Sequence, residues 1–263
     1  WPILGSVNTV SNVGRSHLMD FLRKRYTADN VLVAAAGRVD HDRVVDYCRR
    51  RFQRLPPGTD QAGIDRPDFS PGVFVRHRDL EQVHLVIGMP GISYVEPRHA
   101  VLEVLVTALG GGMSSRLFQT IREERGRAYS IYAYQSPFRD IGYTGIYAAT
   151  ARENVSEVIE LAFGELRSIR RSGLEAAELE RTKGQLIGSI PLALESTDAR
   201  MFRIARNQMY FGREVPVEEI VEKVRSVTNE DLIEMARNIF ASERLGVALL
   251  GDAEEGMVSL PAA

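Results

Sequence analysis

Apolar positions recur at helical spacing over residues 15–26, where Leu18, Phe21, Leu22 and Tyr26 form one stripe. Arg23, Lys24 and Arg25 stand near its C-terminal end, where cations suit the helix dipole. Residues 30–36 (NVLVAAA) then predict a short buried strand stopped by Gly37. Asp40 is a suitable N-cap for a helix over residues 41–52, with a stripe of Val44, Val45, Cys48 and Phe52. On that stripe Cys48 reads as a core thiol rather than a nucleophile. No apolar period survives over residues 54–72, a Pro- and Gly-rich stretch longer than a usual connection, which marks a linker.

Beyond the linker, strands are predicted at residues 73–78 and 83–89, a helix at 97–109 ended by three glycines, and a short helix at 115–124. Two Tyr- and Ile-rich strands follow at residues 128–135 and 142–149. Helical spacing then dominates, over residues 153–171, 175–194, 198–210, 217–224 and 230–240. Pro191 should kink or end the second of these, and Thr228 with Asp231 forms a capping-box-like start for the last. Residues 244–250 close the chain as a strand before Gly251. Strands come in pairs and helices in runs, which predicts an α+β fold of two layers rather than a doubly wound parallel sheet.

Composition narrows the class. A balance of 44% hydrophobic and 26% charged residues over 263 positions is that of a globular protein of one or two domains. No apolar run is long enough to span a bilayer. A formal net charge of -2 disfavours a general nucleic-acid surface. One cysteine excludes an intrachain disulfide framework and any cysteine-clustered metal site within the chain. The compartment is not readable; the cytoplasm stands slightly ahead of the periplasm.

The last helix–strand pair resembles the first. HLMDFLRKRYTADNVLVAAAG, from His17, and DLIEMARNIFASERLGVALLG, from Asp231, align without a gap. Leu18 matches Leu232, Arg23 matches Arg237, and Gly37 matches Gly251. A long-period repeat signals two copies of one structural unit. The chain also opens at Trp1-Pro2 without an initiator Met. The expectation is a chain holding the end of one domain and a complete second one, the first copy having begun on the order of 140 residues before Trp1.

Few residues suggest chemistry. None of the five histidines lies in an H-x-x-E-H or H-E-x-x-H motif, and no G-x-S-x-G is present. His99 and Glu103 are one helical turn apart, and His77 and His84 lie on neighbouring strands; both pairs are more simply surface or core residues. The glycine run at 110–112 lacks the features of a phosphate loop and reads as a turn between helices. The segment SSRLFQTIREERGRAYSIYAY, from Ser114, is more distinctive. It sets Arg116, Arg122, Arg125 and Arg127 close to Tyr129, Tyr132 and Tyr134. It reads equally well as an Arg-rich exposed helix followed by cross-strand aromatics, or as a site whose forked guanidinium and phenol donors grip a polar backbone.

The same segment, extended to LGGGMSSRLFQTIREERGRAYSIYAY, resembles the C-terminal-domain signature of the pitrilysin/insulinase-type zinc metallopeptidases, in the mitochondrial-processing-peptidase-like branch. YTADNVLVAAAGRVDH, from Tyr26, resembles the end of that family's N-terminal peptidase domain, and the terminal helix–strand pair fits as well. The resemblance covers essentially the whole chain. It implies a two-layer α+β fold with a mixed or antiparallel sheet and helices on one face. It divides the chain into the tail of a peptidase-type domain (1–53), a linker (54–72), a complete C-terminal homologous domain (73–255) and a tail (256–263). It further implies a chamber closed by two domains over peptides or unfolded segments. In the family an Arg and a Tyr seven residues later hold the substrate, a spacing met by Arg122 and Tyr129. The H-x-x-E-H motif is absent, so no metal ligand or catalytic residue is expected in this chain. Zinc is expected in the N-terminal part of the parent or in a partner subunit. The implied partners are a peptide substrate and an N-terminal peptidase domain or catalytic subunit, in a homo- or heterodimer. The alternative implied by the family is a noncatalytic subunit of a heterodimeric peptidase or scaffold complex.

Overall fold

A computed structural model describes residues 3–58, 67–241 and 244–260. Residues 59–66 of the predicted linker lie outside the described residues, as do residues 1–2, 242–243 and 261–263. The chain divides into two compact units, Trp1–Asp65 with Leu194–Gly212, and Arg66–Ala193 with Arg213–Ala263.

The first unit opens with α1 (Val7–Ser11), which no apolar period announced. A reciprocal cap forms it: Thr9 N–H donates to Ser6 Oγ at 3.2 Å, and Ser6 N–H donates to Thr9 Oγ1 at 2.7 Å. Then come α2 (Arg15–Arg25) and α3 (His41–Phe52), the latter capped by Asp40, whose Oδ1 accepts from Arg43 N–H at 2.9 Å. The strand predicted over residues 30–36 does not form. A 3₁₀ turn, Ala28–Asn30, leads instead into backbone with no ladder. A strand exists only through a hydrogen-bonded neighbour, and no described segment pairs with this one. The core position predicted for Cys48 also fails: the thiol is only partly buried. Neither α2 nor α3 contains a buried residue. Val44, Tyr47, Cys48 and Phe52 of α3 line an open depression of about 470 Å³ together with Val33 and Val39. Gly37 nevertheless has φ +115° and its repeat counterpart Gly251 has φ +139°, so both copies of the repeat turn through a backbone state that favours glycine.

The second unit holds β1 (Gly72–His77), β2 (Val83–Gly91), α4 (His99–Gly110), β3 (Ser130–Pro137), β4 (Gly142–Thr150), α5 (Val155–Ser172) and α6 (Ala176–Ala193). Pro191 falls in the last turn of α6, which ends two residues later. The next helix, α7 (Thr197–Phe211), belongs to the first unit. The second unit resumes with α8 (Val217–Arg225), α9 (Asn229–Ile239) and β5 (Gly246–Gly251). The predicted capping box starts α9: Asp231 N–H donates to Thr228 Oγ1 at 3.2 Å, and Thr228 N–H donates to Asp231 Oδ2 at 2.9 Å.

The five strands form one mixed sheet in the order β1-β5-β2-β4-β3. β1 and β5 run parallel; the other neighbours are antiparallel. Alternate residues point to opposite faces. Leu85, Ile87 and Met89 of β2, Ile146 and Ala148 of β4, Ile131 of β3, and Val247 and Leu249 of β5 face one way. They join Leu102, Leu105 and Leu109 of α4, the apolar stripe of α5, and Leu232, Met235 and Ile239 of α9 in a single core. This is the α+β architecture the sequence predicts. The glycines after α4 permit its close approach to the sheet: a Cβ on Gly110 would run into Ala133 of β3.

The other face of the sheet carries Phe74, Ala248, Val86, Tyr147 and Tyr132 in one register row. It is partly exposed: Phe74, Tyr132 and Tyr143 all keep large accessible surface. β3, an edge strand, carries the distinctive segment of the sequence into this face.

Candidate functional site

The segment leading to β3 departs from the predicted helix at 115–124. Its backbone widens into a π-helical turn, Phe118–Glu123. Such turns are single insertions that need outside support, and here two tethers supply it. Arg116 forks onto Glu178 of α6, with Nε and Nη2 each donating at 2.7 Å to the two carboxylate oxygens, and Nη2 also reaches the Gly173 carbonyl at 3.2 Å. Thr120 Oγ1 donates to Glu165 of α5 at 3.0 Å. The turn then reverses tightly: Gly126 N–H donates to the Arg122 carbonyl at 3.1 Å, and Arg127 N–H donates to that of Ile121 at 2.8 Å. Gly126 supplies the positive φ, +62°, that the reversal needs.

This geometry sorts the four arginines. Arg116 is bound to Glu178, and the fork raises its already high pKa further. Arg127 Nε lies 2.8 Å from Glu157, and Arg125 lies 3.9 Å from the same carboxylate. Arg122 has no carboxylate within salt-bridge distance among the described residues. Its guanidinium carbon sits 4.9 Å from the Phe118 ring centroid, at the surface. Cation–π contact orients such a group while leaving its N–H donors free for another acceptor.

The tyrosines sort in the same way. Tyr132 and Tyr147 are cross-strand partners with ring centroids 5.0 Å apart, and Tyr147 Oη bonds His84 Nδ1 at 2.8 Å. Tyr134 lies against Gly145 and meets Tyr143 edge-on; burial, then the neighbouring Tyr143 and Tyr132, push its pKa up. Tyr129 is different. Its N–H is fixed to the Ala149 carbonyl at 2.8 Å, but its side chain is 60% exposed and meets no ring among the described residues. Among the described residues Arg122 thus meets no acid and Tyr129 no other ring. They are one backbone reversal apart at the start of the edge strand.

The other candidates resolve into structure. His77 faces Asp252 at 3.7 Å, apart from the His84–Tyr147 pair. His99 meets the Tyr94 ring at a tilt, with centroids 5.1 Å apart; burial, then Lys223, lower its pKa, while burial raises that of Glu103. Among the described residues no three His, Cys, Asp or Glu side chains converge. Zinc, which the resemblance implies for the parent, has no converging donor set among the described residues. No helix among the described residues is long and apolar enough to cross a membrane.

Helices packed on one mixed sheet, with this arginine–tyrosine segment leading into its edge strand, define the second unit as a two-layer α+β domain. The peptidase M16 inactive domain matches residues 12–186, and the chain belongs to the M16 peptidase family. It is 37% identical over 266 residues to an uncharacterized zinc protease of Streptomyces coelicolor, covering 98% of this chain and 58% of that protein. A relative of the same description in Mycobacterium tuberculosis is 40% identical over 257 residues, covering 95% of this chain and 58% of that one. The chain thus spans about three fifths of the length of the curated relatives it matches. Among solved structures, a peptidase M16 inactive domain from Pseudomonas fluorescens superposes with TM-score 0.85 at 22% identity, covering 94% of this chain and 59% of that one. A chain of complex III from Candida albicans superposes with TM-score 0.82 at 20% identity, covering 98% of this chain and 64% of that one. At these identities the superpositions establish the fold alone.

Proposed function

We propose that this chain is the C-terminal, substrate-binding portion of a zinc metalloendopeptidase acting on peptides or unfolded segments inside a two-domain chamber. In this reading residues 1–53 close a peptidase-type domain, 54–72 link the two, and 73–255 form the substrate-binding domain, followed by a short tail. Zinc and the general base come from the N-terminal part of the same polypeptide or from a partner subunit, in a homo- or heterodimer. Arg122 donates forked hydrogen bonds to a substrate carbonyl, and the Tyr129 hydroxyl donates another. Together they hold the peptide backbone and polarise its carbonyl.

One observation carries this reading. Every other arginine in the segment is paired with an acid of the fold, whereas Arg122, seated on Phe118, meets no acid among the described residues and an exposed tyrosine follows it. The test is cleavage of an unstructured peptide by the full-length protein carrying Arg122→Ala or Tyr129→Phe. Both should cut turnover while zinc content stays at the wild-type level. Wild-type turnover in both variants would sink the assigned roles. A full-length protein that binds peptide but neither zinc nor cleaves would instead be the noncatalytic subunit.

A further inference from the structure

Four glycines stand in one register row across the open face of the sheet: Gly72 of β1, Gly246 of β5, Gly88 of β2 and Gly145 of β4, ending on Tyr134 of β3. Two have a structural reason. Gly72 has φ +151°, and a Cβ on Gly145 would sit 2.5 Å from Cζ of the Tyr134 ring that covers it. The other two do not. Neither Gly88 nor Gly246 has positive φ. A Cβ on Gly88 would find no heavy atom nearer than the Gly246 carbonyl oxygen at 3.9 Å, and one on Gly246 would make only ordinary contact, with Phe69 at 3.7 Å. Glycine inside a strand weakens it and forgoes packing. At these two positions the sheet forgoes side chains it has room for.

What they leave is a slot. Its floor is Gly88 and Gly246. The Tyr134 ring closes one end and Phe69 the other. Val86 and Tyr147 occupy the register row on one side, Pro90 and Tyr143 that on the other. On the Pro90 side it adjoins a cavity of about 530 Å³ lined by Phe69, Phe138 and Tyr143, with Asp68 and Arg244 also on its lining. That volume lies in the range of pockets that enclose small organic groups. The strands contribute no charged side chain to these rows; the first, Arg76, stands two residues along β1 from Phe74. Over the glycine floor itself a charge would meet only apolar and aromatic groups, Asp68 and Arg244 lying in the adjoining cavity, whereas an aromatic ring would gain apolar contact and ring edges.

We infer that this slot is a specificity subsite that receives an aromatic side chain of an extended peptide. The inference rests on the substrate-binding reading above, because β3 begins one residue after Tyr129 and carries Tyr132 and Tyr134 to the slot's rim. The peptide's backbone is gripped at Arg122 and Tyr129, and an aromatic residue further along it lies over the glycine row.

The experiment uses the 263-residue chain and fluorescein-labelled Gly/Ser decapeptides, each with one Phe at a different position, read by anisotropy. At one or two positions Phe should tighten binding about ten- to hundred-fold over the all-Gly/Ser peptide, the worth of burying a phenyl ring. Gly88→Val fills the floor and should abolish that gain, and Gly246→Ala should reduce it; thermal melts check that both fold. Absence of any Phe preference, or a preference that survives both substitutions, would overturn the subsite. If Arg122→Ala then weakens every peptide, the backbone grip stands without the slot. If the Phe preference responds to Gly88→Val while Arg122→Ala binds like wild type, the slot stands and the grip falls.

Discussion

Arg116 and Glu178 meet through two parallel hydrogen bonds of 2.7 Å, and this fork joins the turn before β3 to α6. Both side chains are less than a fifth exposed. Removing one partner of such a pair strands the other charge and costs about 3–5 kcal/mol. Arg116→Ala should therefore lower Tm of the second unit by on the order of 6–20 °C, at 2–4 °C per kcal/mol. The double variant Arg116→Met/Glu178→Met should recover part of the loss, since Glu178 is no longer stranded, while Glu165, 3.8 Å from Arg116 in the wild type, keeps only its hydrogen bond from Thr120. Calorimetry of wild type, both single variants and the double variant checks this. An equal loss in the double variant would mean that packing, not charge pairing, holds the turn.

Arg122→Ala should leave the stability of the second unit within about 0.5 kcal/mol of wild type, because the side chain is exposed and bound to no acid among the described residues. Its effect belongs to binding. Loss of a charge-assisted hydrogen bond is worth about 1.5–3 kcal/mol, or roughly ten- to hundred-fold in peptide affinity. Tyr129→Phe removes a neutral donor and should weaken affinity by about two- to ten-fold. Titration with one unstructured peptide at fixed salt measures both. A large loss of stability in either variant would reassign that residue to the fold.

Glu103 gives the second unit a pH dependence of defined sign. Burial raises its folded-state pKa above the ordinary value of 4.5. The unfolded chain then releases its proton more readily, so stability falls as pH rises from about 4.5 through the raised folded value. Glu103→Gln removes this liability. It should be more stable than wild type at pH 7.5, with the difference shrinking toward pH 4.5. His99 works in the opposite sense, because burial, then Lys223, lower its folded pKa. Its contribution is present above pH 6.5 and is lost as pH falls below it. Urea titrations of wild type and Glu103→Gln between pH 4.5 and 8 separate the two groups. A difference independent of pH would show that Glu103 does not ionise in this range.

The first unit displays apolar side chains that a finished core would bury: Leu18 and Phe21 on α2, Tyr47 and Phe52 on α3, and Val33 between them. Surface of this kind drives association. The 263-residue chain should bind a hydrophobic dye and self-associate at micromolar concentration. Leu18→Glu with Phe21→Glu should reduce both, without moving the melting transition of the second unit. Sedimentation velocity and dye fluorescence test this. A monomeric wild-type chain with no dye binding would exclude it.

Local signals made the helices legible. The stripe of α9 and its Thr228–Asp231 cap lie within a dozen residues of one another, and so do those of α3 and Asp40. The strand predicted at residues 30–36 was misread because a strand is not a local object: its apolar sequence is genuine, but no described neighbour bonds to it. The π-helical turn was unreadable for a related reason, since the residues that hold it, Glu165 and Glu178, lie far along the chain. The candidate site was half legible. The family spacing singled out Arg122 and Tyr129, but the residues alone could not rank Arg122 above Arg116, Arg125 and Arg127. That ranking needs Glu157 and Glu178, which reach the segment only in the fold. The glycine row was invisible, because its four members come from four separate strands.

Among the described residues β1 joins the sheet only through β5. As the chain emerges from a ribosome, β1 must wait for a partner made about 170 residues later. Until then an apolar strand has no companion, and β2 has no neighbour on the side that β5 will occupy. The sheet is completed only when the closing strand slides between them, so synthesis stalled before Gly246 should leave a species open to proteases and chaperones rather than a smaller stable domain.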